Sequence, residues 1–310
     1  MRRALITGSS GQDGTLLAAQ LRQAGVEVVG IASRPADGAI VIDVNDHAAV
    51  EQLVREVQPD ECYHLAAYHR SSATVEPIVD PKDEESAYLR TNLTATHALL
   101  RAIRTHRPAC RVFLAGSCHM FGDPDHAPQT EDTPFRPTSL YGITKTAAAQ
   151  LGRVYREQHG LFVCTGILYN HESPLRGPSF VTTRIVRGAV EIKRGLRTVL
   201  LLGDLDARVD WGYAGDYVGA MRRMLAADCA EDFVIASGEL QSVRDLVERV
   251  FERVGVDWRP HVGQDATAHR PVSRAVYHGD PSRIRDRLGW TPTTSFDALV
   301  ALLVDAELAR

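Results

Sequence analysis

Three features of the sequence predict an α/β fold: a doubly wound parallel sheet with a smaller, discontinuous C-terminal lobe. Short apolar runs alternate with amphipathic stretches over the first 170 residues. The runs are apolar at nearly every position, as strands covered on both faces require. The first run opens directly into a glycine-rich turn and a helical pattern.

ALITG (4–8) is the first strand and TLLAAQLRQAG (15–25) the helix after it. VEVVGIAS (26–33) and AIVIDV (39–44) are strands, followed by the helix HAAVEQLVREV (47–57). ECYHLAA (61–67), RVFLAGS (111–117) and LFVCTGILYN (161–170) extend the sheet, joined by helical patterns over 85–106 and 141–160. Strand, helix, strand at this spacing gives right-handed crossovers. Beyond residue 170 the order loosens to a polar segment, a strand at 198–204, a helix from about 213 and a strand at 232–238. Helices at 242–255 and 295–310 close the chain. Residues 1–170, with about 213–238 returning to them, are expected to form the sheet domain. Residues 171–212 and 239–310 are expected to form the second lobe.

The 310 residues suffice for a substantial core, and 44% hydrophobic with 24% charged residues is ordinary for a soluble protein. A net charge of -4 gives no reason to expect nucleic acid or an anionic membrane as partner. Cys62, Cys110, Cys118, Cys164 and Cys229 form no CxxC pair, which argues against a disulfide framework or a metal site and for a reducing cytoplasm. The N-terminus runs straight into a strand, unlike a signal peptide, and no apolar run approaches the roughly 20 residues that span a bilayer.

TGSSGQDG sets Gly8, Gly11 and Gly14 between the first strand and its helix, with Ser10, Gln12 and Asp13 among them. Glycines allow the tight turn and the close backbone approach to a pyrophosphate, which rests on the helix N-terminus of a Rossmann fold. The second strand ends in Ala32-Ser33-Arg34, with no acidic residue for a ribose 2′-hydroxyl. Arg34, helped by Ser33, suits a 2′-phosphate, which favours NADP over NAD. Asp43 is placed to reach the adenine, and Leu65, Ala66 and Ala67 to line the cofactor cleft.

Tyr141 and Lys145 form a YxxxK pair on one helical face. A nearby ammonium lowers a tyrosine pKa from about 10, making a phenolate base available. Ser117, at the end of a predicted strand, completes a Ser–Tyr–Lys set in which Ser orients a hydroxyl, Tyr takes its proton and Lys tunes Tyr and holds the nicotinamide ribose.

Several stretches are more specific. ALITGSSGQDGTLLA, SLYGITKTAA, GILYNHESPLRG, SFVTTRIVRGA, LGDLDARVDWGYAGDYVGAM and GDPSRIRDRLGWTPTTSFDALV resemble, in order, the GDP-mannose 4,6-dehydratases of the extended short-chain dehydrogenase/reductases. The resemblance implies bound NADP, a nucleotide-diphosphate sugar substrate and a redox-neutral dehydration. It implies that Asn170, Glu172 and the stretch from Ser179 through Val181 to Arg184 lie against the sugar nucleotide. Arg208 and Arg270 would meet its diphosphate, and His171 the cofactor.

The chain departs from that pattern where the family reads Ser-Thr-Ser-Glu-Leu-Tyr-Gly. Here Ser117 keeps the hydroxyl, Cys118 is read as a small packing residue bordering the substrate, and His119 replaces the carboxylate. With an ordinary pKa near 6.5, His119 can remove the C5 proton and then assist loss of water from C6. The alternative is that it only contacts the substrate, in a C4 reductase or epimerase that needs no C5 base. Arg208-Val209 replaces Lys-Arg, Arg270-Pro271-Val272-Ser273 lacks the family's Glu, and Ser179 replaces Asn. The expected substrate is therefore GDP-mannose or a related nucleotide-diphosphate hexose. About six residues (34–39) separate the second and third strands, where the family often carries an insertion that joins dimers into tetramers. A homodimer built by the helices over 85–106 and 141–160 is expected.

Overall fold

A computed structural model describes residues 1–69, 81–265 and 276–310. The first half runs β1 (Arg3–Thr7), α1 (Gln12–Gln23), β2 (Glu27–Ala32), β3 (Ala39–Val41), α2 (His47–Val57), β4 (Glu61–His64), α3 (Pro81–Ala87), α4 (Ala95–His106), β5 (Arg111–Ala115), α5 (Leu140–His159) and β6 (Val163–Leu168). The second runs β7 (Asn170–Glu172), α6 (Val181–Lys193), β8 (Leu200–Leu202), β9 (Arg208–Tyr213), α7 (Ala214–Ala226), β10 (Phe233–Ile235), β11 (Leu240–Ser242), α8 (Val243–Val254), β12 (Val262–Gln264), α9 (Ser282–Leu288) and α10 (Phe296–Leu308).

Seven strands form one sheet in the order β3-β2-β1-β4-β5-β6-β10, and every neighbouring pair is parallel. Every residue of β4 and β6 is buried; β6 reads as a nearly unbroken apolar run, while β4 buries Glu61 and His64 with hydrogen-bond partners in Tyr63 and Arg2 and in Thr7 and Thr96. β10 joins the far edge beside β6, and α7 packs on α1, so the chain returns to the sheet after its excursion through β7, α6, β8 and β9.

Two elements depart from the sequence pattern. The helix expected over 85–106 is interrupted by a π-helical stretch, Tyr88–Thr94, before α4 begins. The wide turn carries the buried Asn92, whose amide bonds to Tyr68 and to Thr144 on α5. The segment read as polar after residue 170 contains α6. Its β-branched residues and Gly188 give it weak helix propensity, but Ile185, Val186, Ala189, Val190 and Ile192 bury a stripe against α8 and α10. Packing outweighs propensity there.

This second cluster is joined to the sheet through Asp210, which is fully buried on β9. Its carboxylate accepts hydrogen bonds from Ser237 N at 2.9 Å, Ser237 Oγ at 2.5 Å, Gly238 N at 3.2 Å and Gly279 N at 3.3 Å. One side chain thus holds β9, the turn after β10 and the approach to α9. Asp210→Ala strands these buried donors, and it is expected to destabilise the protein by about 3 kcal/mol or more. Urea unfolding followed by circular dichroism measures the loss.

Candidate active site

The strand order reverses between β1 and β4, and the crevice opens at their carboxyl ends. Gly8 sits there with φ +71°, and a Cβ on it would lie 2.8 Å from Ala66 N and 2.9 Å from Ala66 Cα. Only glycine lets the turn lie this close to the chain leaving β4. A Cβ on Gly14 would meet Gly8 O at 2.4 Å. Gly11 precedes α1 and offers its first amides no side-chain oxygen, the arrangement of a helix N-terminus suited to an anionic group. Ser10 is exposed on this turn; Ser33 and Arg34 are exposed where the chain leaves β2. Asp43 accepts hydrogen bonds from Asn45 N and Nδ2. Leu65 N donates to Thr7 O and Ala66 N to Thr7 Oγ1, which fixes that wall of the crevice, with Ala67 exposed beyond it.

Gln12, Asp13 and His171 are brought together. Gln12 Nε2 donates to His171 O at 3.0 Å, and Ser173 Oγ donates to Gln12 Oε1 at 2.9 Å. His171 Nε2 lies 2.9 Å from Asp13 Oδ2, and its Nδ1 is 2.7 Å from Tyr169 O. Burial raises the Asp13 pKa, but the imidazolium beside it outweighs burial and holds it below the ordinary carboxylate value. Burial likewise pulls His171 down, and Asp13 more than reverses it, so His171 titrates above its ordinary value. The pair clamps the glycine turn to β7.

Ser117, His119, Tyr141 and Lys145 converge at the end of β5. A short 3₁₀ turn, Cys118–Met120, follows Ser117, whose Oγ accepts from His119 N at 3.3 Å. The turn sends the His119 ring edge-on toward Tyr141, with centroids 5.8 Å apart, and to 5.2 Å from Tyr277. Ser139 caps α5 by accepting from Gly142 N, which puts Tyr141 in the first turn and Lys145 one turn on. Lys145 Nζ donates to Ala115 O at 2.8 Å and lies 5.7 Å from the Tyr141 ring centroid. Burial lowers the Lys145 pKa to about 8.

The tuning of Tyr141 differs from the expectation. Burial raises its pKa above the ordinary phenol value, and a hydrogen bond with Ser117 offsets this only in part. The ammonium that was to lower it is held by the Ala115 carbonyl. Burial also lowers the His119 pKa, leaving a neutral imidazole at pH 7.

The remaining residues are more dispersed. Cys118 is buried against Phe121, Ile167 and Tyr169, and burial pushes its thiol up to about 12, as a packing residue. Asn170 opens β7 half-buried. Glu172 is buried and accepts from Thr182 Oγ1 at 2.6 Å, with Arg176 Nε at 3.4 Å. Ser179 and Val181 are half-buried at the start of α6. Arg184 donates to Leu201 O at 3.1 Å, and Arg208 is exposed at the start of β9. Arg270 lies outside the described residues.

The family profile of GDP-mannose 4,6 dehydratase matches residues 5–303. The chain belongs to this family. It is thereby a nucleotide-sugar dehydratase of the short-chain dehydrogenase/reductase type. GDP-mannose 4,6 dehydratase 1 of Arabidopsis thaliana is 37% identical over 98% of this chain and 89% of its own length. The GDP-mannose 4,6 dehydratase of Homo sapiens is 35% identical over 99% of this chain and 92% of its own. Among solved structures, RMD from Pseudomonas aeruginosa complexed with NADPH superposes with a TM-score of 0.85 at 24% identity, covering 100% of both chains. That likeness is one of fold.

Within this member of the family, the structure adds two residues that motif reasoning missed. His69 has its ring centroid 4.5 Å from Tyr141 and 6.5 Å from His119. Arg176 lays its guanidinium 3.6 Å from the Phe180 centroid, and Phe180 in turn stacks on His69 at 6.1 Å. His69 carries no spacing signal, but it follows Leu65 to Ala67 along the wall already read as cleft. Arg176 belongs to the NHESPLRG stretch itself.

The Asp13–His171 clamp makes stability depend on pH. Its His171 contribution is complete below about pH 6.5 and fades as pH rises through the higher folded value; its Asp13 contribution fades as pH falls below the ordinary carboxylate range. The melting-temperature difference between wild type and His171→Gln is therefore expected to be larger at pH 6 than at pH 9, as differential scanning fluorimetry would measure.

Proposed function

We propose that the protein is an NADP-dependent nucleotide-sugar 4,6-dehydratase. It converts GDP-mannose or a related nucleotide-diphosphate hexose to the 4-keto-6-deoxy sugar, with His119 in place of the family's carboxylate. The observation that carries this reading is the convergence of Ser117, Tyr141, Lys145 and His119 beside the glycine crevice. The crevice suits a dinucleotide: Gly8 and Gly14 leave room that a Cβ would fill, and the α1 amides lack a side-chain cap. Ser10, Gly11, Gln12 and Asp13 belong to that turn. Ser33 and Arg34 suit a 2′-phosphate, and the NADPH complex of RMD supports the same choice. Asp43, Leu65, Ala66, Ala67 and His171 complete the cofactor side.

When bound, the dinucleotide supplies an acceptor for the C4 hydride and a donor to C6. Ser117 orients the C4 hydroxyl, Tyr141 receives its proton and Lys145 fixes the end of β5 against α5. The C5 proton, acidified by the adjacent ketone, passes to the neutral His119 imidazole. Cys118, Asn170, Glu172, Ser179, Val181, Arg184, Arg208 and Arg270 are assigned to the sugar-nucleotide side. In this division 1–170 and about 213–238 hold the cofactor, while 171–212 and 239–310 hold the sugar nucleotide. Leu89, Ile143 and Val154 are exposed apolar residues on the helical stretches assigned to a homodimer. Four of the five cysteines are buried and all are unpaired, which supports a reducing cytoplasm. No helix among the described residues is long and apolar enough to cross a membrane.

The substitution at 119 also favours a second reading, a C4 reductase or epimerase. Purified protein incubated with NADP and GDP-mannose in deuterated water separates the two. A dehydratase releases water, places one deuterium at C5 and leaves NADPH unchanged at the end. Stoichiometric consumption of NADPH on a 4-keto sugar, without water loss, establishes the reductase instead. Tyr141→Phe and His119→Ala are each expected to lower the rate of water loss by about 10²-fold or more.

A further inference from the structure

We propose that Tyr277 is a positioning residue for the elimination step: its ring braces the His119 imidazole, and its hydroxyl ties that ring to the turn that carries His119. The inference rests on the dehydratase reading above, and within it on His119 as the C5 base.

Three observations lead to it. First, the His119 ring has no hydrogen-bond partner among the described residues; only the backbone of this residue is tied. Its N donates to Ser117 Oγ at 3.3 Å, and its O accepts from Gly122 N at 3.3 Å. A base must aim its lone pair at one proton, and a histidine ordinarily takes its direction from a hydrogen bond on the other ring nitrogen. Here packing has to supply that direction. Second, the ring nearest to His119 is that of Tyr277, with centroids 5.2 Å apart and planes inclined by 52°. Tyr141 follows at 5.8 Å and His69 at 6.5 Å. Of the two tyrosines, Tyr141 also has work at C4, whereas Tyr277 does not.

Third, Tyr277 is itself held fast. Its Oη donates to Gly122 O at 2.7 Å. Gly122 therefore bonds the brace through its carbonyl and His119 through its amide, in a left-handed conformation with φ +65°. The residues on either side of Tyr277 are gripped by the fully buried Gln129. Gln129 Nε2 donates to Val276 O at 3.1 Å, and its Oε1 accepts from His278 N at 3.0 Å. Gln129 N also donates to His278 O at 2.7 Å. The hydroxyl proton of Tyr277 is committed to Gly122 O, so this residue acts through His119 and not as an acid of its own. Tyr277 belongs to the stretch assigned to the sugar nucleotide, and through it that stretch reaches the turn at the end of β5.

The two stages of the reaction then depend on different groups. Oxidation at C4 uses Ser117, Tyr141 and Lys145, none of which needs the brace. Removal of the C5 proton needs an aimed imidazole. Single turnovers of the NADP-loaded protein with GDP-mannose separate the stages, nicotinamide absorbance following C4 oxidation and mass spectrometry following water loss. Tyr277→Ala is expected to slow water loss about 10-fold or more, while NADPH forms within about threefold of the wild-type rate and then persists. Tyr277→Phe keeps the ring and loses the bond to Gly122 O; a smaller loss of water release, about fivefold, is expected. In a His119→Ala background, Tyr277→Ala is expected to add nothing, because the brace has no base left to aim. Water loss by Tyr277→Ala within about threefold of wild type overturns the proposal. So does an equal slowing of both stages, or a further loss in the His119→Ala background, since either makes Tyr277 a general support. If Tyr277→Ala does not fold, Tyr277→Phe decides, and wild-type water loss from it overturns the proposal. Undiminished water loss by His119→Ala overturns the base assignment together with the brace, and a wild type that releases no water overturns the dehydratase reading as well.

Discussion

The close approach of the turn after β1 to the chain leaving β4 is the constraint on which the rest depends. Gly8 makes it sterically possible, and a buried run of hydrogen bonds makes it rigid. Thr7 Oγ1 accepts from Ala66 N and meets His64 Nδ1 at 2.8 Å; His64 Nε2 meets Thr96 Oγ1 at 3.0 Å, and Thr96 Oγ1 donates to Asn92 O. The Thr96 hydroxyl has one proton, so it must accept from His64. The ring is therefore protonated on Nε2, and Thr7 donates to Nδ1. Burial followed by Lys145 lowers the His64 pKa to about 3, which keeps this neutral tautomer at every working pH. From Asn92 the run continues to Thr144, next to Lys145. The glycine turn and the catalytic helix are thus positioned by one polar thread through an otherwise apolar sheet.

Burial also decides the electrostatics of the site, and it works against charge at every member. Tyr141 is held protonated, Lys145 is brought to about 8, and His119 and His69 are held neutral. The formal ion pair nearby is Asp13 with His171, which stabilises the turn instead of reacting. At neutral pH the cluster therefore keeps the Lys145 ammonium, donated to Ala115 O, while its other members rest neutral.

The sheet and the glycine turn were readable because local patterns and tertiary demands coincide there. β5 and β6 are apolar at nearly every buried position since both faces are covered, and Gly8 and Gly14 are required by backbone contacts that only glycine permits. α6 was not readable, because its valines, isoleucines and threonines say strand locally and only the packing of α8 and α10 makes it a helix. YxxxK spacing placed Tyr141 and Lys145 on one face, yet it could not show that Lys145 turns to Ala115 O and leaves Ser117 as the hydrogen-bond partner of the phenol. His69 was invisible to motif reasoning for a similar reason. Nothing in AAYHR distinguishes it until the fold sets its ring against Tyr141.

The exchange of carboxylate for imidazole at 119 is coherent with this environment. A carboxylate edge-on to Tyr141 in the same buried position would carry a negative charge at neutral pH, or a pKa raised until it did not. Either state bears on the phenol: the charge opposes its ionisation, and the protonated acid is no base. A neutral imidazole avoids both, since it accepts a proton without first holding a charge. Once C5 has supplied a proton, the resulting imidazolium can pass it to the departing C6 oxygen, so one imidazole can serve in turn as base and as acid.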